Sequence, residues 1–244
     1  EIGMINKAML LAAGKGVRLR PITKTVPKPL VEVGGRSLLD WSLDRFADTG
    51  VKEAVVNLHH LGGMIEERLK GRTKPTVVFC REKDLLETGG GVMAALPILG
   101  PDPFYVANAD ALWLNGSTDA LGRLKDAWDD GRMDGLLLLH STVDAYGYDG
   151  LGDFTAAPDG TLTRRPEGEV SPYLFTGVQI LHSRAFDGLR AGCFSLNRVY
   201  DRVLAKARLF GIVHDGEWFH IGTPQGLCEA ETYMSIRYAE TRHR

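Results

Sequence analysis

The sequence predicts an α/β fold, a three-layer sandwich around a mainly parallel central sheet. Three observations carry that prediction. Short apolar runs of strand length alternate with stretches whose apolar residues recur at helical spacing. The first run ends in glycines, as expected of a strand buried on both faces. Strong hairpin signals are confined to the second half, so an antiparallel portion is grafted onto the parallel sheet.

Each element follows in order. Lys7 to Ala13 is the first strand, and a Gly- and Pro-rich loop runs from Gly14 to about Gly35. Ser37 opens a helix with Asp40 as its capping partner; Leu39, Leu43, Phe46 and Ala47 share one face, and Gly50 ends it. Ala54 to Leu58 is a strand, Leu61 to Leu69 an amphipathic helix, and Thr76 to Cys80 the third strand. A short helix from Gly91 to Leu96 follows the triple glycine, then a strand from Phe104 to Ala107 ends at Asn108-Ala109-Asp110. Leu121 to Trp128 reads as helix and Gly135 to Leu139 as strand. Beyond these, Asp159-Gly160 marks a hairpin, Tyr173 to Leu181 is a strand, Leu196 to Arg208 a helix and Phe210 to Val213 a strand. Asp215-Gly216 signals another hairpin before Trp218-Phe219-His220, and a helix starts near Pro224. No repeat or linker interrupts the pattern, so residues 4–244 read as one domain, with 4–115 as its mainly parallel half and 135–225 as the hairpin-bearing half.

Composition narrows the function. Lys and Arg number 29 against 31 Asp and Glu, a net charge of −2, which argues against nucleic acid held on a basic surface. The three cysteines form no C-x-x-C pair, so a disulfide framework or structural zinc site is not expected and a reducing compartment is the simpler reading. No apolar run reaches the ~18–20 residues a membrane helix needs, and no secretory signal is visible. A cytoplasmic protein is expected, with Glu1-Ile2-Gly3 ahead of Met4 read as a cloning remnant.

The loop after the first strand combines what a phosphate site needs. In Leu11-Ala12-Ala13-Gly14-Lys15-Gly16-Val17-Arg18, small residues let the backbone approach an anion and consecutive amides form a nest. Arg18 and Arg20 add guanidinium donors suited to phosphate oxygens, and Pro27-Lys28-Pro29 restrains a lysine. The bland reading of the same stretch is a glycine turn with solvated basic residues. Leu19 stands where a dinucleotide fingerprint needs its third glycine, and no G-x-x-x-x-G-K-[ST] occurs, so neither a Rossmann fingerprint nor a P-loop is present.

L-A-A-G-x-G-x-R-x-x-P followed by P-K-P-L resembles the signature of the sugar-1-phosphate nucleotidyltransferases, whose fold is Rossmann-like, of the GT-A type. Glu87-Thr88-Gly89-Gly90-Gly91, Asn108-Ala109-Asp110, Phe175-Thr176-Gly177 and Trp218-Phe219-His220-Ile221-Gly222-Thr223-Pro224 extend the resemblance in order through nearly the whole chain. The Leu86-to-Gly91 element looks most like the bacterial N-acetylmuramate-1-phosphate uridylyltransferases of cell-wall recycling, with mannose-1-phosphate guanylyltransferases as close relatives. A catalytically silent sugar-nucleotide sensor is the alternative from another class.

The resemblance implies the substrates, a nucleoside triphosphate and a sugar 1-phosphate, and a magnesium cofactor, with manganese as the substitute. It implies that Gly14, Lys15 and Gly16 cradle the triphosphate, with Leu11, Ala12, Ala13 and Asn108 near the nucleotide. Arg18 would stabilise the leaving pyrophosphate, and Lys28 the α-phosphate or the sugar phosphate. Thr88, Gly89 and Gly90 would flank base and sugar, and Glu87, Gly152, Thr176 and Gly177 the sugar. Asp110, just past a strand's carboxyl end, matches the family's metal-binding aspartate, with Ala109 replacing the usual glycine of N-G-D.

Two departures stand out. His220 occupies the place of a second metal-binding aspartate; it ligates a metal, hydrogen-bonds phosphate, or is structural, and Asp215 or Glu217 nearby could supply a carboxylate. Arg165, in Arg164-Arg165-Pro166, stands where many relatives carry a sugar-phosphate lysine, and its fork would preserve that role. His59-His60 is not expected to share an ion, because neighbours on a strand face opposite ways. The last helix, through Tyr238 to Arg244, packs on the domain or forms a subunit contact, leaving a homo-oligomer open.

Overall fold

The computed structural model of the chain describes residues 5–242, with side chains to Arg237. Glu1-Ile2-Gly3, Met4 and the side chains from Tyr238 onward therefore lie outside the described residues.

The chain opens with β1 (Lys7–Leu11), whose Ala8, Met9 and Leu10 are fully buried. The long loop after it is not featureless: it folds into three short 3₁₀ turns and a small hairpin, β2 (Glu32–Val33) and β3 (Arg36–Ser37). Helix α1 (Leu38–Asp48) is capped as its sequence predicts, with the Ser37 hydroxyl accepting the Asp40 amide at 3.1 Å and donating to the Asp40 carboxylate at 2.7 Å. There follow β4 (Glu53–Leu58), α2 (Gly62–Leu69), β5 (Thr76–Arg81), α3 (Glu87–Leu99), β6 (Phe104–Asn108), β7 (Ala111–Leu114) and α4 (Ala120–Ala127). The second half contributes β8 (Gly135–Ser141), β9 (Phe154–Ala156), β10 (Leu162–Arg164), β11 (Tyr173–Leu181), α5 (Asn197–Ala205), β12 (Leu209–Val213), β13 (Glu217–His220) and α6 (Pro224–Arg242).

One nine-stranded sheet carries strands of both halves. Its path is β10-β9-β11-β6-β1-β4-β5, with β8 pairing β11 and β12. Strands β5, β4, β1 and β6 run parallel, with Met9 opposite both Val55 and Val106. Strand β11 lies antiparallel to β6 and to β8, so the sheet changes character there. Alternation along β1 sends Ala8 and Leu10 to one face and Met9 to the other. On the first face they meet Leu43 and Phe46 of α1, Ile65 of α2 and Leu121 of α4. On the second, Met9 meets Val92 of α3 and Val199 of α5, completing three layers. A satellite core under β7 and β13 gathers Leu112, Leu114, Phe219, Ala230 and Met234.

Two local expectations are corrected, and one strand is added. Helix α3 begins at Glu87, so the triple glycine forms its first turns instead of preceding it. Glycine is needed there by packing: a Cβ on Gly90 would stand 2.1 Å from the Gly192 carbonyl oxygen. The short strand β7 carried too little alternation to be read from sequence. Asp215-Gly216 does not close a hairpin, because β12 pairs in parallel with β8 while β13 turns away to pair with β7, Trp218 opposite Trp113.

Candidate active site

The parallel strands reverse direction of progression at β1: the chain proceeds outward to β4 and β5, then returns to add β6 on the other side. Such a switch leaves a crevice beyond the strands' carboxyl ends, where open α/β sheets bind ligands. A cleft of about 610 Å³ lies there. Its walls come from the loop after β1 (Leu11 to Gly14, Gly16 to Arg18, then Lys28), the end of β4 (Asn57), the start of α3 (Glu87, Thr88), the turn after β6 (Asn108, Asp110) and the distant Ser195 and Gly222.

The glycine loop divides its labour. Gly16 has φ +59°, and a Cβ there would stand 2.9 Å from Thr23 and 3.1 Å from Lys28, so this glycine is required by the fold. Thr23 holds the turn by donating to the Gly16 carbonyl at 2.7 Å, and the His60 Nε2 sits 3.1 Å from the Thr23 carbonyl. Gly14 has nothing within 4 Å of its missing Cβ and faces the cleft, so its backbone is open to an incoming group. Among the described residues, the amides of Gly14, Lys15 and Gly16 have no acceptor. They are the free donors a polyphosphate needs.

Lys28 is buried, 8 % exposed, and its ammonium donates to the Asp110 carboxylate at 2.7 Å. The Asp110 side chain is 42 % exposed, so the acid presents a face to the cleft while the lysine sits behind it. Arg18 also lines the cleft and is exposed. Behind the wall, Asn57 accepts the Ala12 amide at 2.7 Å and donates to Glu82 at 2.7 Å, and Glu82 accepts the Leu86 amide at 2.9 Å. This buried chain ties the glycine loop to the start of α3. Sequence reasoning missed it, although a lone asparagine closing the apolar run Ala54-Val55-Val56 was the available signal.

His220 stands half-buried at the same mouth. A Cβ on Gly222 would lie 2.1 Å from its Nε2, so glycine at 222 makes room for the imidazole beside the cleft. Burial first, then the charges of Lys28 and Arg18, hold this imidazole below its ordinary value and favour its neutral form. Neither carboxylate considered as its helper lines this cleft. Asp215 is held by Ser117 at 2.9 Å and Arg123 at 3.1 Å, and Glu217 lines a separate hollow with His140 and His214.

Not every expected site residue reaches the cleft. Leu11, Ala12, Ala13, Gly14, Gly16, Arg18, Lys28, Glu87, Thr88, Asn108 and Asp110 do. Glu87 does so with φ +58°, a strained setting for a non-glycine residue. Lys15 is exposed just outside the wall. Gly89 and Gly90 lie inside α3, their amides given to the Phe194 carbonyl at 2.9 and 3.0 Å. Thr176 is buried, its hydroxyl donating to the Leu138 carbonyl at 2.7 Å, within the irregularity of β11. Gly177 lies under the Asn108 side chain, which a Cβ would approach to 2.8 Å. Arg165 is bound to the carbonyls of Gly152, Pro166 and Glu169 at 2.9, 3.1 and 2.8 Å, so Arg165 and Gly152 are parts of a self-contained loop. The structure brings none of these sugar-half residues to the cleft.

Among the described residues no three or more His, Cys, Asp or Glu side chains cluster as a metal site, so no metal is caged by protein groups alone. One open carboxylate, with phosphate oxygens and water completing the shell, matches what Mg²⁺ accepts.

Comparison with known proteins accords with this arrangement. The sequence matches the family described as nucleotidyl transferase over residues 7–235. It is 38 % identical to N-acetylmuramate alpha-1-phosphate uridylyltransferase of Caulobacter vibrioides, covering 93 % of this chain and 96 % of that one. The protein of the same description from Neisseria meningitidis serogroup B is 36 % identical over 92 % and 96 %. Among solved structures, UDP-glucose pyrophosphorylase complexed with UDP-glucose superposes with a TM-score of 0.75 at 20 % identity, covering 96 % of this chain and all of that one. The inositol-1-phosphate CTP transferase from T. maritima gives 0.76 at 18 %, with 96 % of both chains covered, so both show the same fold. The chain belongs to the nucleotidyl transferase family.

Proposed function

We propose that this enzyme joins UTP to N-acetylmuramate 1-phosphate, releasing pyrophosphate and forming the uridine diphosphate sugar. The carrying observation is that the Lys28–Asp110 pair and the glycine loop with its three free amides border one cleft at the sheet's switch point. Identity of 36 and 38 % to two uridylyltransferases, across nearly their full length, supports the choice of substrates.

The chemistry asks for charge management more than for proton transfer. A sugar phosphate is already anionic near pH 7, since the second pKa of a phosphate monoester is about 6. No general base is needed for one of its oxygens to attack the α-phosphorus in line with departing pyrophosphate. The obstacle is bringing two anions together. The amides of Gly14 to Gly16 receive the triphosphate, and Arg18 meets the charge that grows on the leaving pyrophosphate. Lys28, released from Asp110 as phosphate competes for its ammonium, neutralises the reacting phosphates. Asp110 would hold Mg²⁺, with His220 as a neutral nitrogen donor beside it, and the ion would draw negative charge from the phosphate oxygens. Asn57 and Glu82 keep the loop and α3 in register, so the phosphates meet a preformed surface.

Pyrophosphate release measured across UTP, GTP, CTP and ATP, each with N-acetylmuramate, N-acetylglucosamine and mannose 1-phosphates, tests the reading. UTP with N-acetylmuramate 1-phosphate should give the highest kcat/KM. A preference for GTP and mannose 1-phosphate overturns the substrates, and saturable nucleotide binding without turnover under any divalent metal overturns the enzyme.

A further inference from the structure

Most arginines of the second half are already committed. Arg164 holds Asp201 at 2.7 Å and Asn197 at 3.1 Å, Arg165 holds three carbonyls, and Arg184 and Arg208 share Asp134 at 2.6 and 2.9 Å. Arg198 is not. Its guanidinium lies 5.7 Å from the centroid of the Phe194 ring, and among the described residues no carboxylate or carbonyl accepts from it.

Its place is set by a chain of specific contacts. The Phe194 amide donates to the Leu86 carbonyl at 3.1 Å, and the Phe194 carbonyl receives the amides of Gly89 and Gly90. The Leu196 amide donates to the Thr88 hydroxyl at 2.9 Å. A Cβ on Gly89 would stand 2.5 Å from the Phe194 ring, so the glycines of α3 exist to let this segment dock. Residues 192–198 are thereby clamped to the turn whose Glu87 and Thr88 line the cleft, and Ser195 lines it directly. Arg198 follows one turn later, its amide bonded to the Ser195 carbonyl at 3.0 Å. The phenyl face limits where the guanidinium can go without neutralising it. Arg198 is exposed, three residues beyond the cleft-lining Ser195, and a planar fork left unpaired there suits a planar carboxylate.

We propose that Arg198 determines specificity by receiving a carboxylate carried on the sugar, so that the cleft prefers an acidic sugar 1-phosphate to its neutral counterpart. This deepens the reading above and rests on it. The reacting phosphates are served by Lys28 and Arg18, which leaves Arg198 for the far substituent. N-acetylmuramate differs from N-acetylglucosamine by one lactyl ether bearing one carboxylate, so the two sugar 1-phosphates isolate the contact.

Steady-state kinetics of the intact chain with UTP and each sugar 1-phosphate, for wild type, R198A and R198K, decide the matter. R198A should raise KM for N-acetylmuramate 1-phosphate about tenfold with kcat little changed, and so erase most of the preference over N-acetylglucosamine 1-phosphate. R198K, keeping the charge without the fork, should recover part of it. A preference unchanged in R198A, or an equal loss with both sugars, overturns the assignment of Arg198 while leaving the proposed reaction standing. A wild-type chain inactive on N-acetylmuramate 1-phosphate overturns the substrate reading, and the assignment falls with it.

Discussion

The nucleotide half and the sugar half use the same residue types to different ends. In the first, glycines, an asparagine, a lysine and an aspartate sit beyond the carboxyl ends of parallel strands, where the backbone has finished its hydrogen bonding and side chains are released to a ligand. In the second, Arg165, Thr176 and Gly152 lie in antiparallel and hairpin structure, and their polar groups are consumed by neighbouring carbonyls and amides. What separates the halves is the partner: Lys28 and Asp110 hold each other at the cleft, whereas Arg165 and Thr176 are held by main-chain carbonyls away from it.

The largest expected effect falls on the pair at the centre of the first half. Asp110→Asn and Lys28→Met should each lower kcat/KM for pyrophosphate release by at least about a hundredfold, with circular dichroism unchanged. The two differ in stability. Asp110→Asn leaves a buried ammonium without its counter-charge and should cost on the order of 1–3 kcal/mol in denaturant unfolding, whereas Lys28→Met frees an acid that water can reach and should cost much less.

The next contrast lies within the glycine loop. Gly16→Ala strains a left-handed residue against Thr23 and should destabilise by about 1 kcal/mol or more. Gly14→Ala should leave the melting temperature unchanged and raise the KM for UTP, because its new methyl group enters only the cleft. Equal effects of both substitutions on stability would remove the distinction between scaffold and ligand surface.

Arg165→Ala sharpens the comparison from the other side. Losing three hydrogen bonds to carbonyls should lower stability by about 1–2 kcal/mol, while KM for the sugar 1-phosphate stays within about twofold. A tenfold rise in that KM without loss of stability would return Arg165 to the substrate.

The smallest effect is a pH dependence. Burial holds the imidazoles of His214 and His182 below their ordinary value, so the unfolded chain takes up these protons first on acidification. The stabilisation from keeping them neutral is complete above the unfolded value of about 6.5 and fades as pH falls below it. Denaturant unfolding at pH 7.5 and 5.5 should show lower stability at the acid value, and replacing His214 by Gln should flatten that slope.

Much of this was legible in the sequence. Strand and helix order, the Ser37 cap and the glycine loop follow from local chemistry and period, which tertiary packing then reinforces. Asp110 and Lys28 could be named from their motifs, but their pairing across 82 positions of the chain could not. Asn57 and Glu82 were missed because a satisfied buried hydrogen bond leaves no repeat in the sequence, and β7 because four residues are too few to show a period. Arg165 was drawn to the substrate because sequence shows a cation and conceals the carbonyls that occupy it. Ser195 joins the cleft through contacts between α3 and a segment some hundred residues later, a consequence of topology alone.

The proposed reaction turns on the phosphates displacing the lysine from its acid at the sheet's switch point. A crystal structure with UTP and Mg²⁺ tests this most directly. It should place the triphosphate against the amides of Gly14 to Gly16, with the Lys28 ammonium moved from Asp110 onto phosphate oxygen. A nucleotide bound elsewhere, or bound there with the 2.7 Å Lys28–Asp110 contact intact, would contradict it.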